Sequence, residues 1–350
     1  MPSISPRKSK SIVISLSFAL VLFFISLQIQ LPAARADETA PEIVAGAKKE
    51  GKLVIYHTPN VAGYRLITDA FKQKYPFIAV ESFRTLENKL LMRVLAEYKA
   101  KKYLPDVIDT RGFSVSILKE NGILMSYRSP NFKFISQDFI DPDGHYWANS
   151  FTLRVVAYNT NLVSPKDAPK SYQDLLDPKW KGKLYMDDRD YEWYGNILET
   201  MGKEKGLEFM KKLSKQDIKF RSGRLLLATL LSAGEVPMFL TASGHTIEGF
   251  REKGAPIKWV TFDPILVEVG VTGIASHAPH PSAAKLFVDF LSSKDGQALL
   301  AVGFGKNPVR SDAKHRFPNL DTKGHSLHVS SLVVDYNKYE KDFRTMFMKQ

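Results

Sequence analysis

Residues 154–188 are the part of the sequence that constrains the fold most. Their sequence is RVVAYNTNLVSPKDAPKSYQDLLDPKWKGKLYMDD. This run predicts an apolar strand, a turn, a short capped helix, a tight Pro/Gly-bounded connection and a second strand that ends on Asp187 and Asp188. The segment HYWANSFTL just upstream predicts an entry from another lobe. In α/β folds, polar strand ends and helix starts meet at one sheet edge, where ligands bind. The run therefore predicts ligand capture rather than chemistry.

Strands and helices alternate along the rest of the chain. Apolar strands are predicted at 52–56 and 78–83, each followed by an amphipathic helix, and a short buried strand is predicted at 106–112. The alternation resumes after residue 194 and ends with a predicted terminal helix over 336–346. This order is typical of open, mostly parallel sheets. Two α/β lobes that exchange strands explain its two polar junctions better than one sheet does.

The first 36 residues predict a cleavable signal peptide. Arg7, Lys8 and Lys10 precede an apolar run over 12–25, and Ala34-Arg35-Ala36 supplies small residues at the cleavage site. The alternative is a retained membrane anchor, but the strongly apolar run is short of the roughly 20 residues that a spanning helix needs. No second run of membrane length follows, so a soluble mature protein is expected.

Composition excludes several classes of function. The chain has no cysteine, which rules out thiolate metal sites, thiol nucleophiles, iron–sulfur clusters and lipid attachment at a cysteine. Its net charge is +12, but the basic residues stand singly or in pairs among acids, as in KKE and EYKAKK. That pattern is typical of solvated faces, so no nucleic-acid partner is expected. A modest positive field that attracts small anions fits better.

Several segments resemble a known family. They are KKEGKLVIYHT, LPDVID, VVAYNTNLV, DAPKSYQDLLDPKWKGKLYM, GAPIKWV and GIASHAPHPSAAKLFVDFLSSKDGQALL. In this order they resemble the periplasmic substrate-binding proteins of ABC importers, in the class that includes ferric-iron, thiamine, polyamine, phosphonate and sugar-phosphate binders. The set covers nearly the whole mature chain, although no single segment is specific.

The resemblance implies an α/β, two-lobed periplasmic-binding-protein (type II) fold with a two-strand hinge and an interlobe cleft. It places lobe one at 37–149 plus 265–308, lobe two at 150–264 plus 309–350, and the crossings near 148–150 and 262–267. It further implies a periplasmic, non-catalytic monomer that delivers a small ligand to an ABC permease in the inner membrane, with no cofactor.

Polar residues at strand ends are the predicted ligand contacts in lobe one. His57 and Thr58 directly follow the first strand, and their alternative role is to cap a loop. Asp109 and Arg111 end the third strand. Arg111 could clamp a carboxylate or phosphate in bidentate fashion, or it could pair with Asp109.

Lobe two and the second crossing supply the other candidates. Asp188, Tyr191 and Trp193 stand where a strand runs into a helix start, which favours anions, and the two aromatic rings offer flat faces to a ligand or pack in the core. Ser243 and His245 follow the strand VPMFL in the loop TASGHT. Glu268 faces either the cleft or a lysine. Arg154 is a weaker candidate, since it could be a solvated strand residue.

The sequence favours a small organic anion, such as a carboxylate, phosphonate or sugar phosphate. Ferric iron is the alternative, but ferric-binding members use an adjacent tyrosine pair, and no Tyr-Tyr pair occurs in this chain. His57, Asp109 and Tyr191 would have to make an unusual iron site. No metal site is therefore assigned.

Functions of other classes are also open. One is a ligand-sensing lobe for a membrane receptor. The least favoured is a secreted hydrolase, since no HExxH, GxSxG or Walker loop occurs and no catalytic residue is assigned. The SAAK match to SxxK at 282–285 is better explained as a helix start.

Overall fold

The computed structural model describes residues 39–320, 322, 327–329 and 336–348. The predicted signal peptide lies outside the described residues, and its cleavage stays a prediction. In the described part of the chain, no helix combines the length and the apolar character that crossing a membrane requires.

Helices and strands alternate much as the sequence predicts. The helices are α1 (Pro41–Glu50), α2 (Val61–Lys74), α3 (Glu87–Lys99), α4 (Gly112–Glu120), α5 (Tyr191–Met201), α6 (Lys203–Leu213), α7 (Arg224–Ala233), α8 (Gly244–Arg251), α9 (Pro281–Ser292), α10 (Lys294–Phe304) and α11 (Tyr336–Phe347). The strands are β1 (Lys52–His57), β2 (Ala79–Arg84), β3 (Val107–Arg111), β4 (Leu124–Met125), β5 (Tyr146–Asn159), β6 (Leu184–Asp187), β7 (Lys219–Arg221), β8 (Met238–Ser243), β9 (Ile257–Val260), β10 (Ile265–Ala275), β11 (Asn307–Pro308) and β12 (Leu327–Val329).

The main path of the sheet runs β2-β1-β3-β10-β5-β8-β6-β7. Strands β1, β2 and β3 pair in parallel, as do β6, β7 and β8, whereas β10 is antiparallel to both of its neighbours on this path. Parallel strands joined by helices at each end of the path form the two α/β halves. The predicted α/β fold is confirmed, and the two antiparallel strands in the middle connect its halves.

Strand β5 carries the chain from one half of the sheet to the other. Its first part pairs with β10 as far as Leu153, and its second part pairs with β8 from Arg154 onward. The sheet therefore changes partners at 153–154, shortly after the predicted crossing at 148–150. The upstream segment HYWANSFTL and the predicted strand at 154 form this single strand. The predicted helix after it is replaced by short 3₁₀ turns at Gln173–Leu176 and Pro178–Trp180.

Two groups of buried side chains hold the fold together. The larger packs helices α2, α3, α9 and α10 against the first half of the sheet and also includes residues of α7 and β8. The smaller lies in the second half, where Leu184, Met186 and Ile197 are completely buried. Burying large apolar side chains of this kind contributes about 1.5–3 kcal/mol each.

The C-terminal segment packs on the second half of the sheet. Strand β12 pairs in parallel with β10 at residues 265–267, and α11 packs on α5. Gly195 makes this contact possible, because a Cβ atom there would lie 2.3 Å from the ring of Tyr339. Phe343 of α11 is completely buried in the smaller core.

The predicted limits of the two lobes stay a prediction. The segment from 309 onward was expected in lobe two, yet Arg310 donates hydrogen bonds to Asn131 (3.0 Å) and to the carbonyl of Ser292 (3.2 Å), both in the range expected for lobe one. The start of the tail therefore contacts one half of the protein, and α11 contacts the other.

Candidate ligand-binding cleft

Three arginines from different elements converge on the carboxylate of Glu268. Arg111 ends β3, Arg154 lies on β5 where that strand changes partners, and Arg224 is the first residue of α7. We call these three residues the arginine cluster. Arg111 Nη1 lies 3.2 Å from Glu268 Oε1, Arg224 Nη1 lies 3.7 Å from Glu268 Oε2, and the guanidinium of Arg154 contacts Oε2 directly.

The arginine cluster extends from the surface to the interior. The side chain of Arg111 is 48% exposed, that of Arg224 is 25% exposed and that of Arg154 is 5% exposed. Arg154 also donates a hydrogen bond of 2.8 Å to Ser243 Oγ. The sequence-based interpretation of Arg154 as a solvated strand residue is wrong, because Glu268 and Ser243 satisfy the buried guanidinium.

Carboxylates surround the arginine cluster on both sides. Glu87 Oε2 lies 3.9 Å from Arg111 Nε, and Asp190 Oδ1 accepts a hydrogen bond of 3.0 Å from Arg224 Nε. Glu192 also raises the pKa of Arg154 electrostatically, although burial and the neighbouring arginines lower it overall. The positive charges of the cleft are thus nearly equal in number to its negative charges.

Lys306 and His245 lie beside the arginine cluster. Burial, followed by the charges of Arg111 and Arg154, lowers the pKa of Lys306 to about 8. The charges of Asp109 and Glu87 act in the opposite direction on this pKa. Burial and the charges of Lys306 and Arg154 lower the pKa of His245 to about 3, so its ring is neutral at physiological pH.

Asp109 connects lobe one to the crossing strand. Its carboxylate accepts hydrogen bonds from Tyr64 Oη (3.2 Å) and Asn149 Nδ2 (3.1 Å). Burial raises the pKa of Asp109 to about 7, against the opposing charge of Lys306. Asp109 does not pair with Arg111, which turns instead toward Glu87 and Glu268.

His57 and Thr58 lie behind this carboxylate. The ring of His57 stacks on Tyr64 with 3.8 Å between centroids, and Thr58 N donates to the backbone carbonyl of Asp109 at 3.0 Å. His57 is 2% exposed, and its Nδ1 has no hydrogen-bond partner in the described part of the protein. Burial lowers the pKa of His57 to about 4. These contacts place His57 in the supporting layer of lobe one.

Some predicted site residues fall outside the arginine cluster. Tyr191 and Trp193 are 2% and 4% exposed and belong to the smaller core, where the ring of Tyr191 packs edge-on against Phe343 at 5.3 Å. Their predicted contact with a ligand gains no support from this placement. Asp188 lies nearer the surface, where it accepts a hydrogen bond from Ser222 Oγ and lies 3.5 Å from Arg189 Nε.

The structure therefore groups Arg111, Ser243, His245 and Glu268 from the predicted set. It adds residues that sequence reasoning either missed or undervalued, namely Glu87, Arg154, Asp190, Arg224 and Lys306. A signal existed for Arg224, because a cation at a helix N-terminus is unfavourable unless it is paired. A signal also existed for Arg154, the one charged residue in the strand β5, where Leu153 and Val155 flank it directly.

Comparison with known proteins decides the family. Residues 102–326 match the family model of the bacterial extracellular solute-binding proteins. The chain belongs to this family. Its fold is similar to that of iron-bound HitA from Pseudomonas aeruginosa, with a TM-score of 0.73 and 21% identity over 83% of this chain and 99% of HitA.

Two further proteins are similar to this chain. The periplasmic binding protein AfuA from Actinobacillus pleuropneumoniae, solved with exogenous fructose-6-phosphate, has a TM-score of 0.69 and 24% identity over 86% of this chain and 99% of AfuA. An uncharacterized protein of Haemophilus influenzae is 25% identical over an alignment of 293 residues, and the match covers 78% of this chain and 82% of that protein. The predicted two-lobed fold is confirmed by these structural matches, and the protein is an extracellular solute-binding protein.

Proposed function

We propose that the protein captures a small organic anion between its two lobes and delivers it to an ABC permease in the inner membrane. The observation that carries this proposal is the convergence of Arg111, Arg154 and Arg224 on one point. Each guanidinium has five N–H donors, and Glu268 offers only two oxygens to all three. This excess of donors suits a ligand that carries a carboxylate or phosphate group.

The positions of the donors explain how binding could close the cleft. Arg111 belongs to the first half of the sheet, Arg224 and Ser243 belong to the second half, and Arg154 lies on the strand that joins them. A ligand that contacts both halves binds the closed state better than the open one and so shifts the equilibrium toward closure. The permease would then recognise the closed form, and no covalent step is needed.

Export is part of the same proposal. The family is extracellular, and residues 1–36 have the pattern of a signal peptide. We infer that the mature protein starts after Ala36 and works as a monomer in the periplasm. Catalysis and nucleic-acid binding play no part in this proposal.

Ferric iron is the less supported alternative. In the described residues, no group of three or more His, Asp or Glu side chains is placed to hold a metal ion. Of the residues considered for an unusual iron site, His57 and Asp109 are paired neighbours on β1 and β3, but Tyr191 lies in the smaller core. The iron-binding relatives establish the fold for this chain and not the ligand.

A panel of ligands tests the proposal. Wild-type protein is titrated with carboxylates, phosphonates and sugar phosphates while tryptophan fluorescence and solution scattering are followed. Binding of at least one anion with a decrease in the radius of gyration is expected. The variant Arg224→Gln should weaken that binding by about tenfold or more, since a charge-assisted hydrogen bond is lost. Failure of the whole panel, together with an iron-dependent absorbance band, would favour the ferric alternative.

A further inference from the structure

The carboxylate of Glu268 occupies the place that an anionic ligand would need. Its Oε1 faces Arg111, and its Oε2 is shared between Arg154 and Arg224. Among the described residues, no other carboxylate contacts all three arginines. Two oxygens thus serve three guanidinium groups, and one oxygen must serve two of them.

The surrounding charges leave little room for an additional anion. Glu87 lies beside Arg111, and Asp190 lies beside Arg224. Because cations and carboxylates are already close to balance, a further negative charge would be repelled unless one carboxylate moved away. Glu268 is the carboxylate whose departure would free all three arginines together.

A new partner for the displaced carboxylate is available on the same face of β10. Residues 268 and 270 point to the same side of the strand, because side chains alternate with a period of two. Position 270 is a glycine, and Lys306 Nζ lies 3.6 Å from the place where a Cβ atom would be. Lys306 therefore supplies a cation on this face of β10 that can receive Glu268.

We propose that Glu268 is a built-in competitor, which an incoming ligand displaces from the arginine cluster, and that this competition selects tetrahedral dianions such as phosphate monoesters and phosphonates. The inference rests on the proposed function, in which the cleft binds an organic anion. A phosphate group offers three oxygens, one for each arginine, and carries more charge than the carboxylate it replaces. A monocarboxylate offers the same two oxygens as Glu268 and therefore gains little from the exchange.

The variant Glu268→Gln tests this competition with inorganic phosphate and acetate as probes. Calorimetric titration at low ionic strength should show phosphate binding at least about tenfold tighter than in the wild type, with a clearly smaller gain for acetate. Glu87→Gln is the matched control, because it makes the same change of charge beside only one arginine of the cluster, Arg111. Its gain for phosphate should stay below about threefold.

Two results would overturn the inference. Phosphate binding by Glu268→Gln that is no tighter than binding by Glu87→Gln would show that Glu268 does not compete. Equal gains for phosphate and acetate would remove the selection of dianions. If Glu268→Gln does not fold, Glu268→Asp keeps the charge but shortens the side chain, and its phosphate affinity should then exceed that of the wild type.

These experiments distinguish failure of the competitor inference from failure of the proposed function. Tight phosphate binding by Glu268→Gln, together with no organic anion bound by the wild type, would retain the competitor and reject the proposed transport ligand. An organic anion bound by the wild type, with unchanged phosphate affinity in Glu268→Gln, would support the proposed function and reject the role of Glu268 as a competitor.

Discussion

The guanidinium of Arg111 lies 3.2 Å from the carboxylate of Glu268, and this ion pair joins the end of β3 to the long central strand β10. The two residues come from strands that lie side by side, with Gly270 opposite Arg111 in the register. The same carboxylate contacts Arg154 on the joining strand β5 and Arg224 in the other half of the sheet. Glu268 is therefore linked electrostatically to both halves of the sheet.

Replacing Arg154 with glutamine should impair both stability and binding. The change removes the most buried charge partner of the Glu268 carboxylate. Because a buried charge that loses its partner is costly, the free energy of unfolding should fall by about 3 kcal/mol. Anion binding should weaken by about tenfold or more. Arg65→Gln is the control, because Arg65 is exposed and pairs with Asp69 on the surface of α2. Urea unfolding and calorimetry that show equal effects in the two variants would contradict this assignment.

Lys306 should make anion binding depend on pH. In the free protein its pKa is about 8, lowered by burial and by Arg111 and Arg154 and raised by Asp109 and Glu87. A bound anion raises this pKa, so binding takes up protons near pH 8 and affinity falls as the pH rises above 8. The dissociation constant measured between pH 7 and 9.5 should show this rise, and Lys306→Met should abolish it. A dependence that survives in Lys306→Met would refute the role of Lys306.

His57 should make the protein sensitive to acid. Its pKa is about 4 in the folded protein and near 6.5 when unfolded, so the unfolded chain binds more protons between these values. Stability is thus lost as the pH falls from about 6.5 to 4, by up to about 3 kcal/mol from this residue. Asp109 opposes the trend, since its raised pKa of about 7 makes the folded protein bind the extra proton there.

The substitution His57→Gln separates these two contributions. Urea unfolding at several pH values should give a shallower loss of stability below pH 6.5 than the wild type shows. Asp109→Asn should instead make the loss steeper. Identical pH profiles for wild type and His57→Gln would show that His57 titrates normally.

The C-terminal helix should be essential to the second lobe. Phe343 is completely buried and packs against Tyr191, Tyr194 and Phe220 at centroid distances of 5.3, 6.2 and 5.9 Å. Phe343→Ala should lower the free energy of unfolding by about 3–5 kcal/mol through loss of contacts and the cavity left behind. Phe347→Ala, a change at a half-buried position in the same helix, should cost clearly less. Equal costs by urea unfolding would be the contrary result.

Local sequence patterns predicted most of the fold. Alternating strands and amphipathic helices indicated the α/β class, and the terminal helix predicted at 336–346 agrees closely with α11. The crossing near 148–150 was predicted from the family resemblance, and it stays a prediction. What local patterns could not supply was that HYWANSFTL and the following residues form one strand, whose partners change at 153–154.

The candidate site was less accessible from the sequence, because its contacts join distant parts of the chain. Arg154 is buried only because Glu268, more than a hundred residues away, neutralises it. Tyr191 and Trp193 stand at a helix start that favours ligands, but α11 supplies the aromatic side chains that help enclose the lobe-two core around them. Strand-end reasoning predicted Arg111, Ser243 and His245, which the structure groups together because sheet geometry alone brings strand ends together. Their contact with a ligand stays a prediction.

The most direct test of the central claim is native mass spectrometry of the protein purified without denaturation. One organic anion bound per chain is expected, lost in Arg154→Gln and retained in Arg65→Gln. A bound ferric ion, or a bound neutral or cationic molecule that Arg154→Gln retains, would contradict it.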